Sequence, residues 1–262
     1  MQKLKSKFTN REQLVEYVRG LAPWVEGKES SIIGGYQKAQ ERLENIKLDL
    51  YSKNRNFGNG NVTRLSPYVT HGTLSLNEIR NYALSKYPES KKITKFMQEL
   101  GWRDLWQRIA KDNPEYIWNS VENYKTGFAE NDYSDFLPED IASAKTNIAC
   151  MNSFIQDLVN TGYVHNHARM YIASYVVHFR RIKWQIGAKW FLKYLLDGDE
   201  ASNNLSWQWV ASTFSHKPYI FNLDNVKKYF TDSVDTSIEN NQLLNQDYSS
   251  LSKQLFPKIG SI

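Results

Sequence analysis

Apolar residues recur at helical spacing along most of this chain, and strand-like alternation between turn residues is scarce. That pattern confines the fold to helices packed on helices. In "GYQKAQERLENIKLDLY", Ala39, Leu43, Ile46 and Leu50 return at helical intervals with charges between them, as one buried helix face requires. Thr9-Asn10-Arg11-Glu12 reads as a capping box that opens an early helix. Further helices are predicted near 75–87, 90–111, 139–160, 166–183, 187–196 and 199–212. "GNGN" at 58–61 belongs to no strand–loop–helix unit and reads as a turn, not a nucleotide loop. From about residue 231 the chain becomes polar and rich in Asn and Ser, although Leu243, Leu244, Leu251, Leu255 and Phe256 could dock it. The expected architecture is all-α, with one helical domain over 1–230 and a loosely attached polar tail over 231–262.

Composition excludes several classes. No apolar run approaches the ~18 residues that span a bilayer, and the first twenty residues are too polar for a secretory signal. A single cysteine, Cys150, rules out an intrachain disulfide and a cysteine-ligated metal cluster. The reducing cytoplasm is the simplest expected home. A net charge of +5 is compatible with a phosphate-rich partner. Eight Trp, sixteen Tyr and twelve Phe leave two readings open: a large aromatic core, or rings that stack on a ligand or nucleobase.

Four segments carry candidate chemistry. In "NVTRLSPYVTHGTLS", Ser66 before Pro67 reads as a helix start, with serine at the N-cap and proline at the first helical position. Its free N–H groups, with Thr63, Arg64 and Ser66, suit a phosphate; an ordinary capped helix is the competing reading. In "KFMQELGWRDLWQRI", Glu99, Trp102, Arg103 and Trp106 share one helix face, where a Glu99–Arg103 pair beside two core tryptophans is the plainer alternative. In "NTGYVHNHARMYIAS", Asn166, Arg169 and Met170 share a face, while His165 and His167 point apart, so no metal is expected. "DGDEASNNLSWQWVAST" packs two acids, two adjacent amides and two tryptophans together. Asp197-Gly198-Asp199 lacks the glycine and glutamate register of a calcium loop.

Taken in order, "GGYQKAQERL", "YSKNRNFGNGNVTRLSPYVTHGTLS", "ELGWRD", "TGYVHNHARM" and "LLDGDEASNNLSWQWVAST" resemble the flavin-binding domain of the photolyase/cryptochrome family, from about Gly34 to Asn222. The resemblance implies an all-helical domain holding FAD folded into a U. By position it implies that Tyr51, Thr63, Arg64, Leu65 and Ser66 hold the cofactor's phosphates and flanking groups. It matches Arg103 to the arginine that reaches the cofactor from the substrate helix and assigns Asn166, Arg169, Asp197, Asp199 and Asn203 to the flavin and ribitol, with Asn203 beside flavin N5. Glu99, Trp102, Met170 and Trp209 match the walls that meet a cyclobutane pyrimidine dimer in DNA. Histidines, which six-four photolyases carry at the positions of Asn166 and Met170, are absent there. Trp207 and Trp184 match the inner members of an electron relay. No tryptophan matches the third, for which Tyr124, Tyr133 or Phe136 are the nearby candidates.

The implied activity is light-driven splitting of pyrimidine dimers in UV-damaged DNA by electron transfer from reduced FAD. The alternatives are a cryptochrome-like FAD photoreceptor without repair, and a flavin-free helical module in which every match is coincidental. The chain departs from the family pattern at Val62, Tyr163, "TNIACMNSFIQ", "LS" at 205–206 and "PYIFNLDN". The family's antenna domain is missing, so no second chromophore is expected; nor is a metal or a membrane partner. A monomer is expected, with the oligomeric state left open.

Overall fold

The computed structural model describes residues 3–25 and 28–259. Its α-helices are α1 (Arg11–Leu21), α2 (Tyr36–Glu44), α3 (Leu48–Asn54), α4 (Ser66–Thr70), α5 (Leu76–Lys86), α6 (Ser90–Asp112), α7 (Glu139–Ala142), α8 (Ala149–Thr161), α9 (Asn166–Ser174), α10 (Trp184–Tyr194), α11 (Glu200–Ala211), α12 (Leu223–Phe230) and α13 (Tyr248–Leu255). Among the described residues there is no β-strand, only an isolated parallel bridge between Ser134 and Ile182. The all-α expectation holds.

Several boundaries differ from the sequence reading, each for a local reason. Asn10, not Thr9, caps α1 by accepting from the Gln13 amide at 3.0 Å. The helical repeat read from Ala39 to Leu50 breaks after Glu44, where the Asn45 side-chain Nδ2 donates to the Glu41 carbonyl at 2.7 Å. The break changes the phase, so Ile46 and Leu48 are buried and Leu50 is exposed. The span 139–160 divides at Ala144, whose φ of 55° no helix interior accommodates. The span 166–183 is α9 followed by a π-helical turn, Tyr175–Phe179. Gly58 and Gly60 do form a turn: a Cβ on Gly60 would lie 1.9 Å from the Asn54 carbonyl oxygen.

Two cores organise the chain. The larger gathers α8 to α12 around Phe154, Tyr171, Trp184, Phe191, Trp207 and Phe221. The smaller joins α2 to α6 through Leu43, Leu48, Leu74, Ile79, Ile93 and Phe96. Helix α3 lies along α6, α10 along α11, and α11 crosses α6 to connect the two halves. The segment after 231 is docked rather than loose over its described part. Leu244 enters the larger core, while Leu251, Leu255 and Phe256 form a small cluster of their own. The Arg181 guanidinium also donates to the Leu255 carbonyl. Residues 260–262 lie outside the described residues. No described helix is long and apolar enough to cross a membrane.

Candidate functional site

The polar site lies between the two cores, where α4 and α6 face α9, the end of α10 and α11. At its base Asp197 is 6% exposed and accepts from the Arg169 guanidinium at 3.0 and 2.9 Å, one bond to each carboxylate oxygen. The Ser66 hydroxyl donates to the same carboxylate, and Thr70 Oγ1 donates to the Asp197 carbonyl at 3.3 Å. Burial pushes the Asp197 carboxyl up, but the Arg169 charge and the hydrogen bonds outweigh it and hold it below the usual carboxylate value. Arg169 also donates from Nε to the Val164 carbonyl at 2.9 Å. Ser66 is therefore not the N-cap. Leu65 takes that place and Ser66 is the first helical residue, its hydroxyl turned to Asp197 instead of back to its own helix.

The phosphate-loop candidates divide. Leu65 is a core residue, Thr63 is half-buried, and Arg64 is exposed with a φ of 52°. The guanidinium of Arg64 lies 5.2 Å from the Tyr163 ring, which Arg169 also faces at 5.6 Å. Tyr51 packs edge-on to Phe96 at 5.3 Å, and burial first, then the Glu99 charge, pushes its phenol up to about 12.

On α6, Arg103 donates to Thr70 Oγ1 at 3.0 Å and lies 3.7 Å from an Asp199 oxygen. The Glu99–Arg103 pair of the plainer alternative does not form. Glu99 is held by Lys95 at 2.8 Å and Arg55 at 3.4 Å, because α3 brings Arg55 alongside α6. Asp199 caps α11 through the Ser202 amide at 2.8 Å and accepts from Gln107 Nε2 at 2.7 Å. Trp102 is 49% exposed and leans on Trp106 at 5.5 Å; Trp106 meets Phe214 at 5.7 Å, which gives the site a continuous aromatic rim. Asn166 is exposed, and Met170, one turn on, is half-buried against the larger core.

Helix α11 sorts its side chains by face. Trp207 is 2% exposed and packs edge-on to Phe191 at 4.9 Å, whereas Trp209 is 41% exposed beside Tyr219 at 5.8 Å. Asn203 donates to the Ala188 carbonyl at 3.1 Å and to Asn204 Oδ1 at 2.9 Å. Its own carbonyl oxygen accepts from no described residue. Asn204 turns away from the site and donates to the Ile117 carbonyl at 2.7 Å, as Gln208 does to Tyr116 at 2.6 Å. The two adjacent amides thus have separate tasks, and only Asn203 is left to meet a ligand. Sequence reasoning missed Gln107, Arg55, Thr70 and Tyr163 as partners. Gln107 was within reach, four residues after Arg103 on the same face.

Ser202 Oγ, next to Asn203, is buried and has no partner among the described residues. That unmet hydroxyl, the free Asn203 oxygen, the guanidinium of Arg103 and the hydroxyl of Thr63 suit a ligand bearing hydroxyls, phosphates and a polar heterocycle. No group of three or more His, Cys, Asp or Glu among the described residues could hold a metal.

Residues 96–237 match the family model of the FAD binding domain of DNA photolyase. The chain belongs to the photolyase family. Its cofactor is FAD. A deoxyribodipyrimidine photo-lyase of Alkalihalophilus pseudofirmus is 30% identical over 209 residues, which are 76% of this chain and 43% of that protein. The crystal structure of a bacterial class III photolyase from Agrobacterium tumefaciens superposes with a TM-score of 0.64 at 25% identity, covering 85% of this chain and 45% of that one. A Synechocystis cryptochrome shares the fold with a TM-score of 0.72 at 20% identity, covering 90% and 54%. The photolyase domain spans about half the length of the proteins it matches.

Proposed function

We propose that this photolyase domain splits cyclobutane pyrimidine dimers in UV-damaged DNA under light. The observation that carries the reading is the rim. Trp102 of that rim and Trp209 on α11 stay 49% and 41% exposed, although the same chain buries Trp184 and Trp207 almost completely. Large aromatic faces left open next to a cofactor site suit stacking with unpaired bases. A base pair inside a duplex cannot reach such walls, so the dimer has to be flipped out of the stack.

Bound and reduced, FAD supplies the electron that light drives into the dimer and that returns once the ring has opened. The chain's residues position and protect. Thr63, Arg64 and Ser66, with Tyr51 and the Leu65 backbone, would hold the phosphate side. Arg103, Asp199 and Asn166 would orient the ribitol and ring. Arg169 neutralises Asp197, so that the floor of the site carries no unpaired charge. Asn203 would offer the bound flavin a neutral acceptor, favouring its reduced form without adding charge. Met170, Trp102 and Trp209 wall the dimer and exclude water. Glu99 meets the dimer by exchanging its contacts with Lys95 and Arg55. Trp207 and Trp184 carry electrons inward from the surface.

Trp102→Ala tests the rim. Loss of a base–aromatic stack costs about 1–3 kcal/mol, so affinity for a dimer-containing oligonucleotide should fall while affinity for the undamaged strand stays level. Equal loss on both would reduce Trp102 to a general DNA contact and remove the main support for the reading.

A further inference from the structure

A cavity of about 190 Å³ opens where α8, α9 and the end of α12 meet. It is smaller than the roughly 300 Å³ at which drug-sized ligands begin, so it takes a body about the size of one side chain. Its floor is apolar: Phe154 and Phe230 are 1% and 3% exposed and meet edge-on at 4.9 Å. Gly58 closes one wall. Its amide donates to the Tyr229 carbonyl at 2.8 Å, and a Cβ there would come within 2.7 Å of the Phe230 ring.

The mouth is charged. Arg64 and Asp157 both line the cavity and both are exposed. Arg64 leaves the Thr63–Ser66 segment at a φ of 52°, and its guanidinium lies over the Tyr163 ring at 5.2 Å. Desolvation pushes the Asp157 carboxyl up, and the Arg64 charge draws it down, so the two charges feel each other without forming an ion pair. Neither side chain has a hydrogen bond or ion pair among the described residues, and neither do the hydroxyls of Tyr163 and Ser233 on the same cavity.

We propose that this cavity binds a free α-amino acid with an aromatic or large apolar side chain. The ligand carboxylate meets the Arg64 guanidinium, which can offer two parallel N–H···O bonds. The ligand ammonium meets Asp157. The side chain enters the floor against Phe154 and Phe230, where its apolar surface leaves water. A ligand with one charge leaves either Arg64 or Asp157 unanswered, and a ligand without a side chain leaves the floor wet. The zwitterion answers all three. Asp157, Phe154, Phe230 and Ser233 take no part in the polar site described above; Arg64 and Tyr163 stand between the two, since Arg169 faces the same tyrosine ring.

Isothermal titration calorimetry on the FAD-loaded full chain tests the site with L-phenylalanine, 3-phenylpropionate, phenethylamine and glycine. L-Phenylalanine is expected to bind once per chain, and the other three at least about tenfold more weakly, the size of one lost charged hydrogen bond. Asp157→Asn should weaken L-phenylalanine by a similar factor and leave 3-phenylpropionate unchanged, so that the two ligands become alike. Val234→Phe adds a ring to the cavity lining and should abolish binding, with FAD content and helicity at the wild-type level. Silence at millimolar L-phenylalanine overturns the proposal. So does phenethylamine or 3-phenylpropionate binding as tightly as phenylalanine, or a phenylalanine affinity that Asp157→Asn leaves unchanged. Binding seen only in FAD-free protein would assign the cavity to the cofactor and overturn it as well.

Discussion

Replacing Asp197 by alanine probes the joint between the two cores. Asp197 is 6% exposed, and two hydrogen bonds from Arg169 plus one from Ser66 occupy its carboxylate. Its removal strands a guanidinium, and breaking a buried ion pair from one side costs roughly 3–5 kcal/mol. Arg169 keeps 23% of its side-chain surface and still reaches the Val164 carbonyl, so the lower end, about 3 kcal/mol, applies. Urea unfolding of the FAD-free protein should therefore show a lower midpoint at unchanged slope. Working without FAD keeps ligand linkage out of the comparison. Arg169→Ala removes the other partner, and a double-mutant cycle should give a coupling of at least about 1 kcal/mol. Additive single mutants, or a loss below about 0.5 kcal/mol, the size of an ordinary surface change, would refute the buried pair as the joint.

Three further outcomes are expected. Gly187→Ala drives a methyl group into the Trp207 ring, and such overpacking should destabilise by about 1–3 kcal/mol in urea unfolding; a neutral result would mean that Trp207 moves freely. Burial holds the fully buried His178 down to about 4, against about 6.5 when unfolded. The unfolded chain binds that proton between these values and the folded chain refuses it, so stability is complete above about pH 6.5 and lost as pH falls toward 4, by up to about 3 kcal/mol. His178→Gln should flatten that slope in unfolding measured at several pH values, and an unchanged slope would point to other groups. Trp207→Phe should strongly slow photoreduction of oxidised FAD, followed by absorbance, yet spare repair by pre-reduced protein; equal damage to both would place Trp207 outside a relay.

Much of the fold was legible because helix periodicity survives burial. The expected stretches near 75–87, 90–111 and 199–212 correspond to α5, α6 and α11. The breaks were not, because they rest on single residues: the Asn45 cap and the positive φ of Ala144 leave the hydrophobic repeat intact. The segment after 231 was legible in part. The apolar residues named as able to dock it, Leu244, Leu251, Leu255 and Phe256, bury almost completely, while the polar residues between them made the attachment look loose. At the site, residue types at one helical spacing identified the face of α6, but contacts across helices were invisible. Arg55 takes Glu99 away from Arg103 only because α3 lies along α6. Asn203 and Asn204 look alike in sequence, and only the carbonyls of Ala188 and Ile117 separate their tasks.

The central claim is tested most directly by an oligonucleotide carrying one cyclobutane dimer, incubated with FAD-loaded, reduced protein in the dark and under blue light. The account predicts intact thymines in the light alone, in single- or double-stranded DNA, with Glu99→Gln lowering the yield per absorbed photon while leaving FAD content at the wild-type level. Protein that holds FAD and photoreduces it, yet splits no dimer on either kind of strand, would contradict repair and leave the photoreceptor reading in its place.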